Sequence, residues 1–457
     1  MRIVRQRACF LLVLLLAALP ARRAAAYSLL THEELIDLTW QDSIVPLLLS
    51  HYPSLTPAQL REARAYAYGG CVIQDMGYYP FGDRSFSNLT HYVRTGDFVI
   101  NLFRNAHNAD ELAFAIGALS HYIGDSIGHS RATNLAVPVE FPRLRAEYGP
   151  VVSYAEGKHQ HVQTEFAFDI DGIHDHRMAP LHFLRHVGLK VSVGQLALAF
   201  YQTYGITENF SVLRGRRFNV SGYRFAVRAF IPRIAYALTL LHRHDEPPEI
   251  ESPETKELDA QVAAVAAAND WDHYRRKAGL GTHLLAMVIF ILPKIGPLKL
   301  VAIKGPTQAT EADYIHSVLL SENALQLRLE RFTPPADRHW HGQDESALGP
   351  LDRNHPLPNR DLDTGRVVQP GGYSLTDSTY AHLLHKLVRN PQRPIPPGIK
   401  ADIQAYYANP NAPITTKKNP KRWAQVQADL ATLAAMPTST EAQPYPTYAE
   451  DAAAAAK

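Results

Sequence analysis

The sequence predicts an all-α protein: a compact multi-helix domain followed by a proline-rich, loop-rich C-terminal extension. Three observations carry that expectation. Apolar residues recur at helical spacing, as in Leu112, Phe114, Ala115, Ile116 and Leu119, and in Leu184, Val187, Leu189, Val193 and Leu196. Strand-like alternation is scarce between Leu30 and about His244. Half of the 32 prolines fall between Pro334 and Pro446, where they punctuate the chain into loops. The 457 residues are 46% hydrophobic and 20% charged, which excludes a disordered, collagen-like or disulfide-stapled chain.

Taken in order, residues 1–26 read as a secretory signal peptide. Arg2, Arg5 and Arg7 precede an apolar run from Ala8 to Leu19, and Ala24-Ala25-Ala26 offers small residues for cleavage. The run is too short for a stable anchor, so the mature protein is expected to be secreted or periplasmic. Cleavage removes five Arg and no acid, turning the formal charge of +2 into −3 and leaving Cys71 without a disulfide partner. Residues 27–245 form the expected helical domain. Pro247-Pro248 and Glu249–Glu257 read as a linker, and helices are expected at Leu258–Ala268 and Tyr314–Phe332 within a 246–335 extension. Its apolar stretch Leu284–Leu292 is about half of what a spanning helix needs. A buried helix is the expected form, and a surface that dips into lipid beside Lys294 and Lys299 is the alternative. In the 336–457 region Tyr380–Val388 and Arg422–Ala434 are the expected helices, with a disordered tail from Pro437.

Chemistry concentrates in the first domain. The chain has 22 His, and histidine is the commonest metal ligand. Residues four apart on a helix share a face, so His121, Asp125 and His129 project from one side in successive turns, as do His161 and Glu165. Imidazole and carboxylate at that step suit zinc. Asp75 and His91 are further candidates. If cleavage follows Ala26, Tyr27 becomes the first residue, five before His32. Its α-amino group, with a pKa of roughly 7.7–8.0, then yields its proton readily to a metal. Each piece alone reads more plainly as a solvated face, a turn acid or a frayed chain end.

Together the pieces resemble the zinc-dependent phospholipase C family, and within it most closely the catalytic domain of glycosylphosphatidylinositol-specific phospholipase D. The fungal single-strand-specific nucleases are more distant. The resemblance rests on Thr31-His32-x-Glu34, Gly70-Cys71-x-x-x-Asp75 with Tyr79-Pro80, Thr90-His91-Tyr92, His121-x-x-x-Asp125-x-x-x-His129 and His161-x-x-x-Glu165, over about residues 27 to 170. The bacterial phospholipases have five residues between the bridging Asp and the next His. This chain has three, which fits the phospholipase D-like branch.

The resemblance implies about three zinc ions (Zn2+) per chain. Tyr27 and His32 would hold one, His91 and His121 a second with Asp125 bridging, and His129, His161 and Glu165 a third. Asp75 would act beside them as general base or further ligand. A metal pair lowers the pKa of bound water from 15.7 toward about 7, which supplies hydroxide for phosphodiester hydrolysis at neutral pH. The expected substrate is a phospholipid or glycolipid head group, with transient contact to a membrane surface. The near-neutral charge gives no basic footprint, so nucleic acid is disfavoured. A nuclease with the same trinuclear site, and a non-catalytic protein stapled by zinc, are the alternatives. Arg84, Tyr92 and Arg94 stand near these motifs and could meet a phosphate, surface residues without a role being the plainer reading.

Overall fold

The computed structural model describes residues 28–79, 82–208, 210, 219–242, 251–292, 302–333 and 357–439. These residues form helices and no strand. The β-type pairing they show consists of two isolated bridges, Arg360 with Val367 and Ile395 with Thr438. The signal segment, Tyr27 and the tail from residue 440 lie outside the described residues.

Eleven helices come first: α1 Leu29–Thr39, α2 Val45–His51, α3 Pro57–Gly70, α4 Arg84–Tyr92, α5 Thr95–Arg104, α6 Ala109–Gly128, α7 Asn134–Glu140, α8 Pro142–Tyr148, α9 Lys158–His174, α10 Leu181–Val187 and α11 Val193–Tyr204. The centre is α6. Asn108 caps its start by accepting from the Glu111 amide, and Asp110 and Glu111 complement the positive end of the helix. It is buried along almost its whole length, with α1, α3, α5 and a later helix, Gln308–Phe332, packed around it. Contact with α3 is closest at two glycines. A Cβ on Gly117 would lie 2.2 Å from the Ala67 carbonyl oxygen, and one on Gly70 would lie 2.1 Å from that of Phe114. Only glycine permits backbones so near.

The periodic stretch from Leu184 to Leu196 is not one helix. Gly188, at φ +87°, breaks it into α10 and α11.

Beyond these lie α12 Asn219–Phe225, α13 Ile231–His242, α14 Pro253–Ala268, α15 Trp271–Tyr274, α16 Leu280–Ile291, α17 Gln308–Phe332, α18 Ser374–Val388, α19 Pro397–Tyr406 and α20 Pro420–Ala435. The expected linker ends early, because Ser252 caps α14 and Pro253 opens it. Pro397 and Pro420 likewise sit in the first turns of α19 and α20. Proline belongs at that position, since its missing N–H has no helical partner there anyway. Two prolines of the C-terminal region therefore start helices, and α19 adds a helix to the two expected there.

The C-terminal helices join the main core. Leu362, Tyr380, Leu383, Leu384, Ile399, Ile403 and Leu433 belong to the same buried cluster as the residues of α1, α3 and α6. In turn α18 packs on α4.

The expectation for the apolar stretch near 284–292 needs correcting. Only one face of α16 is buried: Ala286 and Ile289 pack with Ala237 and Leu238 of α13. Leu280, Leu284, Met287, Phe290 and Ile291 are exposed, Leu280 at 87% and Phe290 at 74%. No described helix is long and apolar enough to cross a membrane.

Candidate metal centre

Four segments converge on Asp125. Helix α6 carries His121 and Asp125 one turn apart, α1 supplies His32, and α4 supplies His91. A short 3₁₀ turn, Gln74–Gly77, brings in Asp75. The Asp125 carboxylate lies 3.2 Å from His32 Nε2, 3.4 Å from His91 Nε2 and 3.1 Å from His121 Nε2. Asp75 Oδ1 is 3.3 Å from His91 Nε2. All five side chains are buried.

Backbone carbonyls aim the rings. His91 Nδ1 donates to the Ser87 carbonyl at 2.7 Å, and His121 Nδ1 donates to the Cys71 carbonyl at 3.0 Å. Each ring thereby turns Nε2 toward the carboxylates, the arrangement that metal-ligating imidazoles use.

A second convergence adjoins the first. His129 opens a π-helical turn, His129–Thr133, just past α6, and its ring stacks on that of His161 with centroids 4.8 Å apart. π-turns recur at functional sites because they re-aim a side chain. On α9, His161 Nδ1 is 2.6 Å from Glu165 Oε1, and Nε2 is 2.8 Å from Asn134 Oδ1.

The electrostatics describe a set of groups waiting for positive charge. Burial lowers the pKa of His32, and the His121 ring lowers it further. Burial lowers His129, and burial together with His129 holds His161 well below the ordinary histidine value. Burial, then the charge of Asp125, pushes Glu165 well above the carboxylate range. His91 runs the other way. Burial opposes its charge, yet bonds to Asp125 and Asp75 push it up to about 10. Burial opposes ionisation of Asp125 too, but His121, His32 and His91 hold it well below the usual range. In this arrangement a proton on Glu165 faces His161, and a proton on His91 lies between two carboxylates. Divalent cations would replace both.

The donor set fits such ions. Three combinations bring one nitrogen or oxygen from each residue within 4.8 Å of the others: His32, His121 and Asp125; Asp75, His91 and His121; and His129, His161 and Glu165. Neither ring nitrogen of His129 has a hydrogen-bond partner, although both atoms are buried. Leaving such groups unmatched costs several kcal/mol in the absence of an ion. A fourth combination, Asp171, Asp175 and Glu311, already has a cation beside it. Arg177 Nη1 lies 2.9 Å from Asp175 and 3.4 Å from Glu311.

Tyr27 lies outside the described residues, but its neighbours are pinned beside the centre. Asp169 accepts from the Leu30 and Thr31 amides at 3.0 and 3.1 Å, and from the Thr31 hydroxyl at 2.9 Å. Asp169 extends the four-residue step of His161 and Glu165 along α9, a signal that was present in the sequence. Asn134 and Asp363 were also missed, and no local motif marks either. Arg94 and Tyr92 serve the interior. Arg94 Nε donates to Asp97 at 2.7 Å, and the Tyr92 hydroxyl donates to Asp363 at 2.9 Å.

The fold and these distances define an all-α protein with a buried histidine–carboxylate centre of the kind that holds divalent metal. Residues 31–209 match the family model described as zinc dependent phospholipase C. The match takes in each candidate residue from His32 to Glu165, and Asn134 as well. No curated protein and no solved structure matches the chain.

Proposed function

We propose that the protein is an exported zinc phosphodiesterase that hydrolyses phospholipid or glycolipid head groups. One observation carries the reading: the Asp125 carboxylate faces Nε2 atoms of three histidines at 3.1–3.4 Å, and all four side chains are completely buried. The family domain supports lipid as the substrate class. In this reading Tyr27 and His32 hold one of about three zinc ions, His91 and His121 hold a second with Asp125 shared, and His129, His161 and Glu165 hold the third. Bound there, zinc acidifies water and neutralises phosphate charge. The protein's own part is to keep His91 and His121 aimed through the Ser87 and Cys71 carbonyls, and to hold Asp75 where it can orient or deprotonate the water that attacks phosphorus. The signal segment supports export.

The test is an assay of the zinc-loaded mature chain on vesicles of phosphatidylcholine, on a glycosylphosphatidylinositol and on single-stranded DNA. Chelator-sensitive release of head groups from lipid is expected. Turnover of DNA alone would contradict the lipid reading.

The membrane is met, in this proposal, through α16. Its exposed residues Leu280, Leu284, Met287 and Ile291 recur at helical spacing, with Phe290 beside them, and Arg275-Arg276-Lys277 precedes the helix. An apolar face next to basic residues suits an anionic lipid surface. Leu284→Asp with Phe290→Asp is expected to lower binding to phosphatidylserine-containing vesicles by at least about tenfold, since two large apolar groups contribute more than 1.4 kcal/mol at a lipid boundary. Hydrolysis of a short-chain soluble substrate should be unchanged. Sedimentation with vesicles measures the first quantity, and equal binding by the variant would remove α16 as the contact.

Complete burial of the centre favours a second reading, in which zinc staples an exported domain that has no disulfide. Structural zinc sites are closed, and catalytic ones keep a position for water. Chelation that lowers the melting temperature of a protein inactive on all three substrates would select it.

A further inference from the structure

The C-terminal segment 357–373 lies well beyond the family domain, yet it reaches the centre. The Leu362 amide donates at 3.0 Å to the backbone carbonyl of His91, whose own side chain faces Asp125. Asp363 follows and is completely buried. Its Oδ2 accepts the hydroxyls of Tyr92 at 2.9 Å and Tyr373 at 2.6 Å. Its backbone carbonyl accepts from Asn134 Nδ2 at 2.8 Å. The other end of that amide, Oδ1, lies 2.8 Å from His161 Nε2.

We propose that Asp363 is a positioning residue of the metal centre: by fixing the amide of Asn134, it selects the ring nitrogen through which His161 meets a cation. The inference rests on the cation centre proposed above, not on its substrate.

An asparagine amide has nearly the same shape with its oxygen and nitrogen exchanged, so packing alone does not choose between the two orientations. A backbone carbonyl only accepts, so the Asp363 carbonyl must be met by the NH2 end. That leaves Oδ1 facing His161, where it can only accept, and Nε2 must therefore carry the ring proton. A neutral imidazole protonated at Nε2 keeps its lone pair at Nδ1, the atom 2.6 Å from Glu165 Oε1 on the face stacked against His129. With the amide reversed, its NH2 would claim the Nε2 lone pair and Nδ1 would carry the proton. His161 would then be lost as a ligand. The two tyrosine hydroxyls on Oδ2 hold Asp363 in the position that prevents this. In this way a loop more than 200 residues away in sequence sets a tautomer in the family domain. Outer partners of metal-bound histidines commonly act so, and their loss typically lowers metal affinity about 10–100-fold.

A simpler role, in which Asp363 only ties the C-terminal segment down, makes a different prediction. An aspartate at position 134 has two acceptors and needs no partner to orient it. The experiment therefore compares the full mature chain with Asn134→Ala, Asn134→Asp, Asp363→Ala and the double variant Asn134→Asp/Asp363→Ala. Zinc retained against graded chelator is measured, together with the visible spectrum of the cobalt-substituted protein, and circular dichroism reports folding. Asn134→Ala and Asp363→Ala are expected to weaken one ion about 10–100-fold and leave the others in place. Asn134→Asp, whose second oxygen meets the Asp363 carbonyl, should weaken that ion less than Asn134→Ala, and the double variant should recover most of what Asp363→Ala loses.

Loss in Asp363→Ala that Asn134→Asp does not recover would overturn the inference, as would unchanged affinity in Asn134→Ala. If Asp363→Ala does not fold, the contrast between Asn134→Ala and Asn134→Asp decides alone. A wild-type chain that takes up no zinc would instead overturn the cation centre, and this inference with it.

Discussion

Asp125→Ala is expected to abolish hydrolysis and to strip the protein of at least two of its zinc ions. Asp125 is the side chain that three imidazoles face at once, at 3.1–3.4 Å. Removing it leaves the His32, His91 and His121 rings crowded around a hole. His32 and His121 already stack with centroids 4.3 Å apart, and without the carboxylate nothing balances cations held so near one another. Metal ions supply several kcal/mol of transition-state stabilisation in such sites. At about 1.4 kcal/mol per tenfold, losing them should lower kcat/KM by roughly 10³-fold or more. Metal content of the purified variant, read beside its activity, checks the result. Full activity with a full complement of zinc would refute the shared role of Asp125.

Truncation should be equally severe. A mature chain ending at residue 333 contains the whole family domain but lacks the segment that packs on α4 and α7. It is expected not to fold cooperatively. Leu362, Tyr380, Leu383, Leu384, Ile399, Ile403 and Leu433 would all be missing from the shared core. Burying each such side chain contributes about 1.5–3 kcal/mol, and net stability is only about 5–15 kcal/mol. The loss exceeds the margin even if several partners repack. Thermal melting followed by circular dichroism measures it. A truncated chain that melts cooperatively and binds zinc like the full protein would show that the C-terminal helices are dispensable.

The parts of the fold that could be read in advance are those where the cause is local. Helical periodicity marks α6 and α17, and the four-residue steps His121–Asp125–His129 and His161–Glu165 are properties of single helices. The failures share a different cause. Proline signals a loop when its ring interrupts a helix, but at Pro253, Pro397 and Pro420 it opens one, and the two uses look alike in sequence. The apolar run of α16 states how much oil-like surface the helix carries, not how much of it the neighbours cover. Helix α13 covers only the face of Ala286 and Ile289. Asn134 and Asp363 carry no signature because their roles depend on each other across 229 residues. Asp125 stands out by spacing, but its convergence with His32 and His91 depends on how α1 and α4 pack around α6.

The central claim is that this buried set of imidazoles and carboxylates is built around divalent cations. Anomalous diffraction at the zinc absorption edge, on crystals of the mature protein grown with zinc, tests it most directly. The account predicts about three peaks: two flanking Asp125 among His32, His91 and His121, and one between His129, His161 and Glu165. A map with no peak at these side chains, in which His161 still bonds Glu165 directly and His91 still spans Asp75 and Asp125, would contradict it.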